Sequence, residues 1–310
     1  MAAWPKPRPN GQEQQPKVTD TRGGSGPVPG QAQEGTPQGP SRRPAPRSGV
    51  GGLSDIDLQQ AAAFEAAYTG RPGAPVAIVI AAYNEEANVG AVVEAVPDQL
   101  CGLGTEVIVV VDGARDATAS AASGTRALVC DVPVNRGQGA ALRLGYHLAR
   151  ERGATYIMTT DADGQYGSDD MERVLSPLLA DEADFVSGSR RLGSTANDDA
   201  VRNVGVVVFA ALISLLVRRR VTDPACGLRA MKVGVSASVV LDQPQYQASE
   251  LLISAAMAGY RLKEVPIAMK KRSSGKSKKG GNFLYGYRFC SVVLRTWSRE
   301  LGRSVKTSRS

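Results

Sequence analysis

The sequence predicts an α/β fold, a mostly parallel sheet covered by helices. Three observations predict it. Short apolar runs alternate along the chain with stretches of helical composition. The runs are continuous rather than alternating polar and apolar, as in strands buried on both faces. Polar residues gather directly after the runs, where ligands sit in such sheets.

The elements follow in order. Residues 76–80 (Val-Ala-Ile-Val-Ile) read as the first buried strand. Residues 85–96 have helix composition and stop at Pro97. Residues 106–111 form a second strand and 127–129 a short third. A helix over 139–152 leads to a fourth strand over 156–160. A helix over 171–180 then precedes a fifth strand over 184–187.

Composition sets the boundaries. Residues 1–50 hold 10 of the 18 prolines, with 8 glycines and 6 glutamines. Such a segment has almost nothing to bury, so residues 1–53 are expected to be a disordered tail. Residues 54–302 form the folding unit and 303–310 a basic C-terminal tail. A core of that size needs no disulfide or metal staple. Cys101, Cys130, Cys226 and Cys290 show no zinc spacing and read as reduced thiols of a cytoplasmic protein. No signal peptide is expected, because the N-terminus lacks an apolar segment. The longest apolar run, 204–217, would span roughly 21 Å as a helix, against about 30 Å of bilayer hydrocarbon. A crossing is therefore not expected, although the helix can lie on a membrane.

The net charge of +7 conceals a split. Residues 1–50 carry +4, residues 51–260 carry −9 and residues 261–310 carry +12. An acidic body with a basic end points to cations in a site and anions near the C-terminus.

Three strand ends carry the polar residues: Ala82-Tyr83-Asn84-Glu85-Glu86, Asp112-Gly113-Ala114-Arg115-Asp116 and Asp161-Ala162-Asp163-Gly164-Gln165. Asp161 and Asp163 can share one hard cation, with Gln165 adding an oxygen. Mg²⁺ commonly takes one or two carboxylates and fills its shell from substrate phosphates. Alone, an Asp-x-Asp is more often an acidic turn; the two other acidic strand ends shift the balance. Asp112 and Asp116 suit a base or ribose, or a helix cap, and for Asp116 the cap is preferred. Tyr83 can pack on a base or in the core. The 135–139 segment (Asn-Arg-Gly-Gln-Gly) opens a helix whose free amides favour anions, but Leu142 breaks the dinucleotide fingerprint. Gly275-Lys276-Ser277 is not a P-loop, because the required earlier glycine is Lys270. The basic 272–279 segment instead suits a phosphate clamp. Few aromatics interleave it, and no nucleic-acid partner is expected. His147, the only histidine, reads as structural, which leaves no Ser-His-Asp or Cys-His chemistry.

These motifs, in this order, resemble glycosyltransferase family 2. Gly188-Ser189-Arg190, Asp223 with Gly227-Leu228-Arg229, Glu264-Val265-Pro266-Ile267 and Gly275-Lys276-Ser277-Lys278 narrow the resemblance to the dolichyl/polyprenyl-phosphate sugar synthases, over about residues 75–297. The resemblance implies a GT-A fold and inverting, metal-dependent hexosyl transfer from a UDP- or GDP-sugar to a lipid phosphate. It implies that Ala82, Tyr83, Asn84, Glu85, Asp112, Ala162 and Gly188 line the nucleotide-sugar site. Asp161, Asp163 and Gln165 would hold Mg²⁺ or Mn²⁺ on the donor diphosphate. Arg190, Arg202, Lys276 and Lys278 would meet the donor and acceptor phosphates, and Glu250 the sugar hydroxyls. Val111 and Ala114 stand where relatives often carry an acid and a serine, so UDP versus GDP stays open. An acceptor monophosphate, with a second pKa of about 6, needs no strong general base.

A membrane surface is also expected as a partner. Phe283, Tyr287, Cys290, Leu294 and Trp297 recur on one helical stripe, with Arg288, Arg295 and Arg299 beside it. The expected location is peripheral, on the inner face of the cell membrane. Competing readings are a soluble acceptor, a nucleotidyltransferase, or a non-catalytic nucleotide-sugar-binding subunit of a membrane partner.

Overall fold

A computed structural model describes residues 53–195, 200–243, 246–270 and 282–307. Helix α1 (Asp55–Ala67) starts at Ser54, where Ser54 and Asp57 form a reciprocal capping box. Strand β1 (Val76–Ala82) follows, then the short helix α2 (Val89–Glu94), β2 (Gln99–Leu100) and β3 (Leu103–Asp112). Helix α3 (Thr118–Ser123), β4 (Leu128–Val132), α4 (Gln138–Glu151), β5 (Tyr156–Thr159) and α5 (Ser168–Leu179) continue the alternation. Then come β6 (Phe185–Thr195), α6 (Ala200–Val217), β7 (Arg229–Lys232), α7 (Val233–Ser238), α8 (Gln247–Met257), β8 (Leu262–Met269) and α9 (Asn282–Thr307).

The strands form one sheet in the order β2-β3-β1-β5-β7-β6-β8, with β4 also paired to β3. Pairs β1·β3, β1·β5, β3·β4 and β6·β8 are parallel. Strand β7 runs antiparallel to both β5 and β6, and β2 antiparallel to β3. The sheet is thus mostly parallel, as expected, with β7 as an insertion that the sequence reading did not contain.

Alternation along the strands builds two cores. Ala77 and Val79 of β1, with Ile108 and Val110 of β3, pack with Phe64 of α1 and Leu144 and Leu148 of α4. Ile78 and Ile80, with Val109 and Val111, pack with Val89 of α2 and Met171 and Val174 of α5. Helix α4 lies very close to the sheet: a Cβ on Gly145 would come within 2.3 Å of Val79 Cγ1.

Two expected elements change length. The first helix covers only Val89–Glu94, because Asn84 is left-handed (φ 52°) and the Asn88 amide turns back to the Glu85 carbonyl (2.9 Å). Strand β6 runs on to Thr195, with a register shift between Ser189 and Ser194.

Helices α6 and α9 pack together. Phe209 and Phe289 stack with ring centroids 4.3 Å apart, and Trp297 Nε1 donates to the Leu216 carbonyl (3.2 Å). Trp297 is therefore partly turned inward, off the expected outer stripe. Val207, Val208 and Leu215 of α6 and Tyr287, Leu294 and Leu301 of α9 remain exposed. Among the described residues no helix is long and apolar enough to cross a membrane.

Candidate active site

Strands β1, β3 and β5 are parallel neighbours, so their carboxyl ends meet at one edge. Ala82 closes β1 and is buried. Beyond it, the Asn84 side-chain oxygen accepts the Arg115 amide (2.8 Å), and the Glu85 amide donates to Thr118 Oγ1 (2.8 Å). The Glu85 carboxylate accepts from Asn88 Nδ2 (2.8 Å). These bonds tie the β1 end to the loop after β3. Tyr83 lies half-buried in the same turn. Asp116 accepts the Thr118 amide (3.1 Å) and caps the first turn of α3.

Asp112 takes a different task from the one expected. It is 2% exposed, and its carboxylate accepts the amides of Arg136 (2.9 Å) and Gly137 (2.7 Å). It anchors the 135–139 segment. The two loops touch: Gly113 has φ +64°, and a Cβ there would lie 2.1 Å from the Asn135 nitrogen. Helix α4 opens at this anchor, and Gln138 Nε2 reaches Asp161 Oδ1 (3.5 Å).

Asp161 is half-buried after β5. It rests on Gly227, where any Cβ would lie 2.2 Å from Asp161 Oδ2. The antiparallel β7 makes this contact possible, because the chain enters β7 at the edge where β5 leaves. A cleft lined by Ala81, Gln138, Leu142, Thr160, Asp161 and Gly227 opens there. Asp163 is 5% exposed and accepts the Gln165 amide (3.3 Å). Gln165 Nε2 donates to the Lys270 carbonyl (3.0 Å), while the Lys270 amide donates to the Gln165 carbonyl (2.9 Å). The acidic strand end is thereby clasped to the residue that precedes the basic segment.

Four expected site residues sit elsewhere. Ala162 is buried in the core beside α5. Gly188 serves packing: a Cβ there would meet Ile267 Cδ1 at 2.9 Å and Cys226 Sγ at 3.2 Å. Arg190 spends Nε and Nη2 on the fully buried Asp223, each at 2.6 Å, in a bidentate pair. Glu250 is fully enclosed and accepts from the amides of Asp242 (3.0 Å) and Gln243 (3.1 Å) and from Arg299 Nη1 (2.9 Å). Burial raises its pKa, and the amides and Arg299 oppose that rise. Its oxygens are used inside the protein, so it ties α8 to α9 rather than facing a sugar. The Arg202 side chain, Lys276 and Lys278 lie outside the described residues.

Two residues named in the sequence without a role acquire one here. Glu264 accepts the amides of Thr222 (2.7 Å) and Asp223 (2.9 Å) and so holds the partner of Arg190. Burial pushes the Cys226 thiol up to about 12, so the sulfur beside the cleft stays protonated and unreactive. Among the described residues no group of three or more His, Cys, Asp or Glu is placed to hold a metal ion. The carboxylates at the cleft are hard oxygen donors that would fill only part of a cation's shell.

The family model described as glycosyl transferase family 2 matches residues 77–238, more than half of the chain. The chain belongs to glycosyltransferase family 2. Among its family 2 relatives, a dolichyl-phosphate hexose transferase of Haloferax volcanii is 32% identical over 65% of this chain and 85% of its own length. An undecaprenyl-phosphate mannosyltransferase of Micrococcus luteus is 28% identical over 66% of this chain and 88% of its own. In fold, the chain is similar to glucosyl-3-phosphoglycerate synthase of Mycobacterium tuberculosis, solved with Mn²⁺, UDP and glucosyl-3-phosphoglycerate. That likeness has a TM-score of 0.58 at 21% identity and covers 77% of this chain and 84% of the synthase. The architecture of this family 2 chain is accordingly GT-A-like.

Proposed function

We propose that this family 2 glycosyltransferase moves a hexose, with inversion, from a nucleotide-diphosphate sugar to a polyprenyl- or dolichyl-type lipid phosphate. One observation carries the donor half: the acidic end of β5 is hydrogen-bonded, through Gln165, to Lys270 at the start of the basic segment. The relatives named for lipid-phosphate acceptors support the acceptor half.

Asp161 and Asp163 would hold Mg²⁺ or Mn²⁺, with the Gln165 side-chain oxygen as a further donor. When bound, the ion neutralises charge on the departing diphosphate. Tyr83, Asn84 and Glu85 at the β1 end would flank the nucleoside. Arg202, Lys276 and Lys278 would draw the two phosphates together by neutralising their charge. The acceptor phosphate is anionic at neutral pH and attacks without a strong base. The buried Arg190–Asp223 pair would shape this region rather than touch a phosphate. The exposed apolar residues of α6 and α9, with Arg218, Arg219, Arg220, Arg288 and Arg295 beside them, would rest on the inner face of a membrane.

A second reading is a soluble phosphorylated acceptor, favoured by the fold shared with glucosyl-3-phosphoglycerate synthase. A donor and acceptor screen separates the two. UDP- and GDP-sugars are incubated with Mg²⁺ or Mn²⁺ and either a short polyprenyl phosphate or 3-phosphoglycerate, and products are weighed by mass spectrometry. A glycosylated polyprenyl phosphate is expected; glycosylated phosphoglycerate alone would favour the second reading. Asp163→Ala should keep the fold and abolish metal-dependent donor binding in calorimetry, and unchanged affinity would remove the metal assignment.

A further inference from the structure

Helix α1 lies outside the 77–238 span of the family match, yet one of its side chains reaches the edge described above. Asp57 is 2% exposed. Its Oδ2 accepts from the Ser54 amide (2.8 Å) and Ser54 Oγ (2.7 Å). Its Oδ1 accepts from Arg136 Nη1. Arg136 Nε lies 3.4 Å from Asp112 Oδ1, while the Arg136 and Gly137 amides bind Asp112 Oδ2. Two residues on, Gln138 meets Asp161. A continuous run of contacts therefore joins α1 to the acidic end of β5.

Capping α1 does not require this arrangement. A capping box works on the surface, whereas an acid this deeply buried is costly unless a charge pairs with it. The pairing charge is Arg136, whose Nη2 is enclosed without a hydrogen-bond partner. Among the described residues, the side-chain partners of that guanidinium are the two carboxylates. Without Asp57, Arg136 would keep one long contact to Asp112 and its charge would be poorly compensated.

We infer that Asp57 is a positioning residue of the donor site. It holds Arg136, and through it the 135–138 segment and Gln138, in the geometry that receives a nucleotide-diphosphate. The inference rests on reading this edge as the donor site, so its test includes a measurement without any donor.

The full chain is compared with Asp57→Asn and with Ser54→Ala, which weakens the α1 cap but leaves the Arg136 link. In hydrogen exchange of the ligand-free protein, Asp57→Asn should speed exchange of the Arg136 and Gly137 amides about 10-fold, equivalent to about 1.4 kcal/mol of lost protection. Ser54→Ala should affect only the first turn of α1. With UDP-glucose or GDP-mannose as donor, Asp57→Asn should raise KM about 10-fold and change kcat less than about two-fold, and Ser54→Ala should leave both unchanged. Unchanged exchange at residues 136 and 137 in Asp57→Asn would overturn the inference. So would a Ser54→Ala variant that reproduces the KM effect. If the wild-type chain uses neither donor, the exchange result alone decides the role of Asp57. If Asp57→Asn does not fold, Arg136→Met cuts the same link from its other end, with the same expected and overturning results.

Discussion

At the scale of single residues, the site depends on where side chains are absent as much as on where they are present. Gly227 is the clearest case, since a methyl group there would occupy space already filled by the Asp161 carboxylate. Gly227→Ala is expected to displace that carboxylate by about 1 Å and to lower kcat/KM about 100-fold, because misplacement on that scale costs rate steeply. Melting should change far less than activity, which thermal unfolding and steady-state kinetics on one preparation would show. Acidic residues that look alike in sequence also divide sharply by environment. Asp161 faces the cleft, Asp112 anchors a loop, and Glu250 is enclosed between α8 and α9. Sequence spacing places all three near strand or helix ends, and only the three-dimensional partners separate their tasks.

At the scale of elements, the parallel half was legible because its strands are continuous apolar runs. Strands β1, β3, β4 and β5 lie where the 76–80, 106–111, 127–129 and 156–160 runs were expected, within a few residues. Strand β7 was not legible: Arg229 to Lys232 is four residues long, half of them cationic, and carries no apolar run. Helix α1 escaped because its alanine-rich sequence has little apolar periodicity, and with it went the Asp57–Arg136 link across 79 positions. Ion pairs at the far ends of β6 and β8 were equally hidden, since Asp181, Asp184 and Arg261 are distant in sequence. Lys232 and Arg261 bond Asp181 and hold its carboxyl at about 2. Burial pushes Asp184 up, but Arg261 and Lys232 outweigh it and hold this carboxyl well below the usual range. Both acids have depressed pKa values, so their contribution is present above about pH 4 and fades as pH falls through the folded values. Arg261→Met should therefore lower Tm modestly at pH 7. The gap between mutant and wild type should close toward pH 2, which calorimetry across that range would measure.

At the scale of the whole molecule, charge and apolar surface are spread unevenly. Residues 51–260 carry a net −9, while residues 261–310 carry +12. Exposed Leu215 on α6 and Leu294 on α9 are expected to touch lipid, with the neighbouring arginines drawn to anionic headgroups. Leu215→Glu combined with Leu294→Glu should weaken sedimentation with phosphatidylglycerol vesicles at least about five-fold. Turnover on a short polyprenyl phosphate in detergent should be retained, and equal vesicle binding would show that these faces do not meet the membrane.

The contact between Gly145 and Val79 fixes how α4 sits on the sheet. With only a hydrogen atom separating α4 from β1, the gap between them acts as a fixed gauge. Any side chain at position 145 would push α4 off β1, so the spacing of helix and sheet rests on this one glycine.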